Sequence, residues 1–321
     1  MPRTFLIDTD TASDDAVALI MALRWPDVRV AAITMVNGNV PVEQGTRNAL
    51  YTAQLCGSSV PVYPGAARPL LREPVYAQWF HGKDGLGDQN YPPPTRAPER
   101  KHAVDAILET VAANPGIVLV TLGPLTNLAM AVSRGPQMVK NVSRCVVMGG
   151  APCIEGNVTP AAEYNIWVDP EAARMVFHSG LPIELVGWQL CRGEANLTLP
   201  DIEYVRGLGT PLAKFTIDCN RSAMEANRVQ TGEIGIPLPD PTAMAIALDP
   251  TICTQSSRHY VEIETAGELT RGMTVVDRLG VAGDERNRAL WSALLEKGPN
   301  ATVCWQLDIP RWKEALYRVL R

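Results

Sequence analysis

The chain has 321 residues, 46% of them hydrophobic and 20% charged, with a formal net charge of −5. Such a composition suits one large globular domain over residues 1–321 and excludes a disordered chain. Acidic and basic residues are interspersed without a Lys/Arg block, which excludes a basic face for nucleic acid or an anionic membrane.

No run of about 18 apolar residues is present, so no membrane span is expected. From Met1 the sequence enters an apolar run at once, without the charged start and long apolar stretch of a signal peptide. The 7 cysteines form no CxxC pair, and their apolar neighbours suggest buried, reduced thiols. A reducing cytoplasm fits this pattern.

In chain order, Thr4 to Ile7 reads as a strand ending at Asp8. Asp14 to Arg24 reads as a helix with Ser13 as its N-cap. Val28 to Val36 is a β-branched run closed by the turn Asn37-Gly38-Asn39, and Val42 to Leu55 is the next helix. Pro64 to Pro98 is rich in Pro and Gly, carries Trp79, Phe80 and His81, and is too long for a plain connection. It is a candidate functional loop.

Ile117 to Leu122 is a strand stopped by Gly123-Pro124, with a helix to about Val132. Cys145 to Met148 is a strand ending in Gly149-Gly150, Pro170 to His178 a helix, and Ile183 to Val186 a strand. Pro200 to Arg228 reads as helical. Strands follow at Tyr260 to Ile263, Met273 to Val276 and Thr302 to Leu307, with a last helix from about Pro310. Repeated β-α units with strands apolar on both faces predict an α/β fold with a mostly parallel, doubly wound sheet. In such sheets ligands bind beyond the carboxyl ends of the strands, where Asp8, Asp10, Asn37, Asn39, Thr126, Gly149 and Gly150 fall.

Asp8-Thr-Asp10-Thr-Ala-Ser-Asp14-Asp15 packs four carboxylates into eight residues. Their repulsion needs a cation or protons to offset it, and a helix dipole contributes only about 0.3–1 kcal/mol per charge. An oxygen-only donor set without clustered His or Cys favours Ca²⁺ or Mg²⁺ over zinc. Asp8-Thr9-Asp10-Thr11 also resembles the opening of aspartate-nucleophile phosphatases, so a Mg²⁺ phosphohydrolase using Asp8 is an alternative. Ala12 departs from that motif. A ribose- or metal-binding protein with impaired catalysis is a third reading.

The aspartate cluster then joins an ordered series: Asn37-Gly38-Asn39, His81-Gly-Lys-Asp-Gly-Leu-Gly87, Leu122-Gly-Pro-Leu-Thr126-Asn127, Met148-Gly149-Gly150, Gly156-Asn157 through Glu163-Tyr-Asn165, Asp169-Pro-Glu-Ala-Ala, Asp240-Pro241 and Arg271 to Asp277. In this order the blocks resemble the nucleoside hydrolase family, those preferring inosine and uridine among them. The resemblance implies Ca²⁺-dependent hydrolysis of the N-glycosidic bond of a ribonucleoside to ribose and a free base. It implies Asp10, Asp15 and Asp240 as calcium ligands with the backbone carbonyl of Thr126, and Asp10 as general base for a water at the metal. Asp14, Asn39, Met148, Asn157, Glu163 and Asn165 would hold the ribose, and His81 would lie near the base. Glu163 and Asn165 would face one way on an extended segment. A homodimer or homotetramer is implied too.

Two departures bear on the site. Thr11 and Ala12 stand where the family has Pro and Gly, so a positive φ at Ala12 would carry strain. Pro239 stands where the inosine-uridine group has a histidine thought to protonate the leaving base, and proline cannot donate a proton. With no aromatic residue between Phe215 and Tyr260, stacking on a base falls to Trp79, Phe80, Tyr164 and Trp188. Cys191 is a further possible base contact, equally at home in a core.

Overall fold

The computed structural model describes residues 2–289 and 296–321. Its main sheet has eight strands in the order β3-β2-β1-β4-β5-β6-β10-β7. They are β1 (Arg3–Thr9), β2 (Val28–Met35), β3 (Val62–Tyr63), β4 (Ile117–Thr121), β5 (Val142–Met148), β6 (Ile183–Val186), β7 (Cys253–His259) and β10 (Ala301–Leu307). All neighbours pair parallel except β10 and β7, which pair antiparallel at the edge. The strands expected at Tyr260 to Ile263 and Met273 to Val276 form β8 (Val261–Ile263) and β9 (Thr274–Val276), which pair only with each other.

Side chains alternate between two core layers because strand residues point to opposite faces in turn. Phe5 and Ile7, Val118 and Val120, and Val146 face one layer. It contains α1 (Ser13–Arg24), α2 (Val42–Leu55), α9 (Pro211–Cys219), α11 (Pro239–Leu248) and α12 (Ile309–Leu320). Leu6, Leu119, Cys145 and Val147 face the other, formed by α4 (Ala103–Ala113), α5 (Thr126–Arg134) and α7 (Pro170–Phe177). Helices on both faces explain why these strands are apolar throughout.

The strand order reverses between β1 and β4, so their carboxyl ends diverge into a crevice. Into it run the aspartates after β1, Asn37-Gly38-Asn39 after β2, Leu122-Gly123 after β4 and Met148 to Gly150 at the end of β5.

Three local readings are corrected. The stretch Pro200 to Arg228 is not one helix but α8 (Leu199–Gly207), α9 and α10 (Arg221–Thr231), broken between α8 and α9 where Gly207, Gly209 and Pro211 interrupt the backbone pattern and between α9 and α10 at Asn220. The N-cap of α1 is Ala12, in extended conformation at φ −97, whose amide donates to Asp15 Oδ2, while Ser13 is the first helical residue. Glu163 and Asn165 do not lie on an extended segment. Glu163 caps the short helix α6 (Tyr164–Val168), and Asn165 is inside it.

Candidate active site

The crevice opens into a cavity of about 780 Å³ of empty space, including the part continuous with solvent. Asp14, Asn39, His81, Met148, Asn157, Glu163 and Asn165 all line it, as do Trp79, Phe80, Tyr164, Trp188, Pro239 and Asp240. Two helix N-termini meet here. Asp14 and Asp15 lie in the first turn of α1, and Asp240 lies in the first turn of α11. The positive ends of both helix dipoles thus point at the carboxylates. One oxygen from each of Asp14, Asp15 and Asp240 lies within 4.8 Å of the others.

Each aspartate has a distinct environment. Asp8 Oδ1 accepts from Thr34 Oγ1 at 2.5 Å and Asn127 Nδ2 at 2.9 Å. Burial pushes the Asp8 carboxyl up to about 7, against those bonds. Of the five aspartates, Asp14 and Asp240 line the cavity itself, whereas Asp8, Asp10 and Asp15 lie behind that lining. Asp15 accepts from Thr9 Oγ1 at 2.5 Å and from the Ala12 amide at 2.9 Å. Asp10 Oδ2 accepts from the Asn39 amide at 2.5 Å, while Asp10 Oδ1 has no donor. Asp14 Oδ1 has none either.

Burial first, and then the charge of Asp15, pushes the proton affinities of Asp10 and Asp240 well up and that of Asp14 to about 8. Four buried carboxylates that resist ionising together, two of them with donorless oxygens, fit a bound hard cation.

Glycine lets the backbone approach Asp10. A Cβ on Gly38 would lie 2.0 Å from Asp10 Oδ2, and one on Gly123 would lie 2.9 Å from Asp10 Oδ1. Ala12 carries no positive φ. The left-handed residue is Thr11, at φ +27. Its amide donates to Thr9 Oγ1 at 3.0 Å and its carbonyl accepts from Asn48 Nδ2 at 2.9 Å, which hold it there.

Thr126 does not line the cavity. It opens α5, and its hydroxyl donates to Asp169 Oδ2 at 2.7 Å. Leu122 does line the cavity, and its carbonyl accepts from Asn165 Nδ2 at 2.9 Å. Of the two residues, Leu122 and not Thr126 is the one that borders the cavity.

Around the sugar-sized part of the cavity the side chains are tightly fixed. Glu163 accepts from the amides of Gly150 at 2.6 Å, Asn165 at 2.9 Å and Ile166 at 3.3 Å. Burial nonetheless pushes its proton affinity up. Asn157 Oδ1 accepts from the Tyr164 amide at 2.9 Å, and Gln230 on α10 donates to the Asn157 carbonyl. Tyr164 Oη lies 2.8 Å from the Gly38 carbonyl and 2.6 Å from that of Val75, tying the long loop to the turn after β2.

That loop supplies the mouth: Val75, Tyr76, Ala77 and the short helix α3 (Gln78–His81). Trp79 is 65% exposed and packs edge-on against Phe80, whose ring lies 4.9 Å from His81. Trp188 is buried against the core but reaches the cavity. Cys191 does not reach it. Its thiol donates to the Gly187 carbonyl within the core, which removes it as a base contact. His102 caps α4, and His178 ends α7. Tyr76 and Gln230 lie outside the motif blocks and show no periodic or charge signal of their own, and Leu122, though it opens the block that runs to Asn127, is an apolar side chain whose carbonyl no sequence pattern singles out.

Comparison with known proteins agrees with this geometry. A family profile described as "Inosine-uridine preferring nucleoside hydrolase" matches residues 5–314. The pyrimidine-specific ribonucleoside hydrolase RihA of Salmonella enteritidis is 38% identical over 312 residues, covering 96% of this chain and 95% of that protein. Among solved structures, a plant nucleoside hydrolase superposes with a TM-score of 0.91 at 32% identity, covering 100% of this chain and 99% of the other. An inosine-guanosine nucleoside hydrolase gives 0.88 at 31% identity, covering 99% of this chain and 98% of the other. The chain belongs to the nucleoside hydrolase family and is an N-glycosyl hydrolase.

Proposed function

We propose that the protein hydrolyses the N-glycosidic bond of ribonucleosides to ribose and a free base, with Ca²⁺ as its resident cation. One observation carries this reading. A single cavity pairs an oxygen-only carboxylate cluster at its floor with an aromatic mouth. A sugar diol suits the first, and a planar base suits the second.

Asp10, Asp15 and Asp240 would hold the cation, with the Leu122 carbonyl as a neutral oxygen in the place expected for Thr126. Bound there, a hard cation offsets the carboxylate repulsion and orients sugar hydroxyls and water. Asp10 acts as general base, through the oxygen that has no donor. Asp14, Asn39, Asn157 and Asn165 hold the ribose hydroxyls, and Met148 packs under the ring. Breaking the C–N bond builds positive charge on the sugar, which the buried carboxylate of Glu163 and the amide oxygens around it stabilise. Trp79, Phe80 and Trp188 sandwich the base.

Base release from a panel of purine and pyrimidine ribonucleosides tests this reading. Base and ribose in equal amounts are expected. Phosphate release from phosphomonoesters without base release would support the Asp8 phosphohydrolase instead. Saturable ribose binding without turnover would mark a binding protein. Cleavage of p-nitrophenyl riboside alone would show that Pro239 has removed an indispensable acid, since that leaving group needs no protonation.

A further inference from the structure

Pro239 removes a proton donor from the leaving-group end of the cavity, yet one imidazole remains there. His81 lines the cavity beside Trp79 and Phe80. Ser13 is completely buried as the first residue of α1, and its Oγ stands 2.9 Å from His81 Nδ1. This contact joins the aspartate helix to the long loop across 68 residues of sequence.

The direction of that hydrogen bond follows from what else each group can reach. A buried hydroxyl needs an acceptor for its proton, and Nδ1 is the one acceptor Ser13 Oγ reaches among the described residues. Donation the other way, from Nδ1–H to Oγ, would strand the hydroxyl proton in a dry site. Asp14 Oδ1 is the other group facing Nδ1, at 3.7 Å, beyond hydrogen-bond range. Burial holds the ring neutral, with its proton affinity pushed down to about 3, so it carries one donor and one acceptor. The contacts of the ring with Ser13 and Asp14 are both through Nδ1, and the His81 residue lines the cavity.

We propose that Ser13 is a positioning residue for the reaction: its hydroxyl donates to His81 Nδ1, fixes the Nε2–H tautomer, and so presents one N–H donor to the departing base. When the C–N bond breaks, its electron pair stays on the base. A hydrogen bond from Nε2–H to a carbonyl oxygen or ring nitrogen of the base stabilises that charge without transferring the histidine proton. The substrates favoured are nucleosides whose base turns such an acceptor toward His81. The leaving-group part rests on the ribosidase reading, whereas the tautomer does not.

Two measurements separate them. In protein labelled with ¹⁵N-histidine, with the His81 ring assigned by its loss in His81→Asn, the ring should show the Nε2–H pattern in wild type and lose its bias to that form in Ser13→Ala. A wild-type Nδ1–H ring would overturn the proposal, whether or not any nucleoside is cleaved. In turnover, Ser13→Ala should lower kcat for nucleosides about tenfold, the worth of one hydrogen bond, with little change in KM. The loss should be smaller for p-nitrophenyl riboside, and Ser13→Thr should restore the nucleoside rate. Equal losses on both substrates would place Ser13 in support of the carboxylates instead. A wild type inactive on nucleosides but carrying the Nε2–H ring would sink the ribosidase reading and leave the tautomer standing.

Discussion

Asp10 and Asp8 stand two residues apart on the same backbone run and do different work. Each keeps one oxygen without a donor, but Asp8 is held by the Thr34 and Asn127 side chains on strand β2 and helix α5, whereas Asp10 is held by the Asn39 amide and feels the charge of the Asp15 carboxylate of the cluster. Asp10→Asn should therefore lower base release by about 10²–10⁴-fold, the range for loss of a general base, and steady-state kinetics would read it. The raised carboxyl groups also carry a stability signature. A carboxyl with a higher proton affinity folded than unfolded stabilises the fold below its unfolded value, near 4, and loses that contribution as pH rises through the folded value. Asp8 at about 7 and Asp14 at about 8 set the window. The melting temperature of chelator-treated protein should fall from pH 5 to pH 8, and Ca²⁺ should raise it more at pH 8 than at pH 5. A chelated protein equally stable at both would contradict this.

At this scale the sequence was most readable where charge is dense. Four carboxylates in eight residues announce a cation whatever the fold. It was least readable where one backbone angle decides. Ala12 stands where the family has glycine, yet the left-handed residue is Thr11, because the side chain of Thr9 and Asn48 hold its amide and carbonyl. Nor could spacing find the Ser13–His81 contact, which depends on how a long loop folds back.

Among the elements, two helices deliver the site and one turn closes on it. Pro239 is the first residue of α11, where proline loses no hydrogen bond and its fixed φ suits the helix start. This local reason for the proline exists beside its cost, the absent proton donor. The turn after β2 approaches so closely that a methyl group on Gly38 would overlap Asp10 Oδ2. Gly38→Ala should cost about 1–3 kcal/mol by overpacking and abolish most turnover, measurable by chemical denaturation and base release. Full activity would show that the turn does not seat Asp10. The long loop was recognised from its length and its Pro and Gly content. Its aromatic residues Trp79 and Phe80 stand out as candidates for stacking on a base because no aromatic residue lies between Phe215 and Tyr260. Helix α10, which borders the mouth through Gln230, reads from sequence as one helix with α8 and α9, since the breaks before Pro211 and at Asn220 are short and the flanks strongly helical.

Over the whole molecule, the sheet order that creates the crevice could be inferred from repeated β-α units, because strands buried on both faces leave few alternatives. The antiparallel edge strand β7 escaped notice. Its residues Thr-Gln-Ser-Ser-Arg are exposed and polar and give no apolar strand pattern, although backbone pairing, the Trp305 indole bonded to Ser257 Oγ at 2.7 Å and the packing of His259 on Trp305 hold it to the sheet. Outside the cavity lining, the C-terminal helix α12 locks onto the core through Trp312, fully buried with its indole N–H donating to the Ala195 carbonyl at 3.0 Å. Trp312→Ala should destabilise the protein by about 3–5 kcal/mol. The KM of the folded fraction should stay unchanged, since Trp312 does not line the cavity. Parallel denaturation and kinetics would check it.

The most direct measurement of the central claim is base release from uridine and inosine by chelator-stripped protein, before and after Ca²⁺ is returned. The account predicts negligible release from the stripped protein and recovery on adding Ca²⁺ in wild type, with no recovery in Asp240→Asn. Unchanged release after stripping, or full recovery in Asp240→Asn, would contradict it.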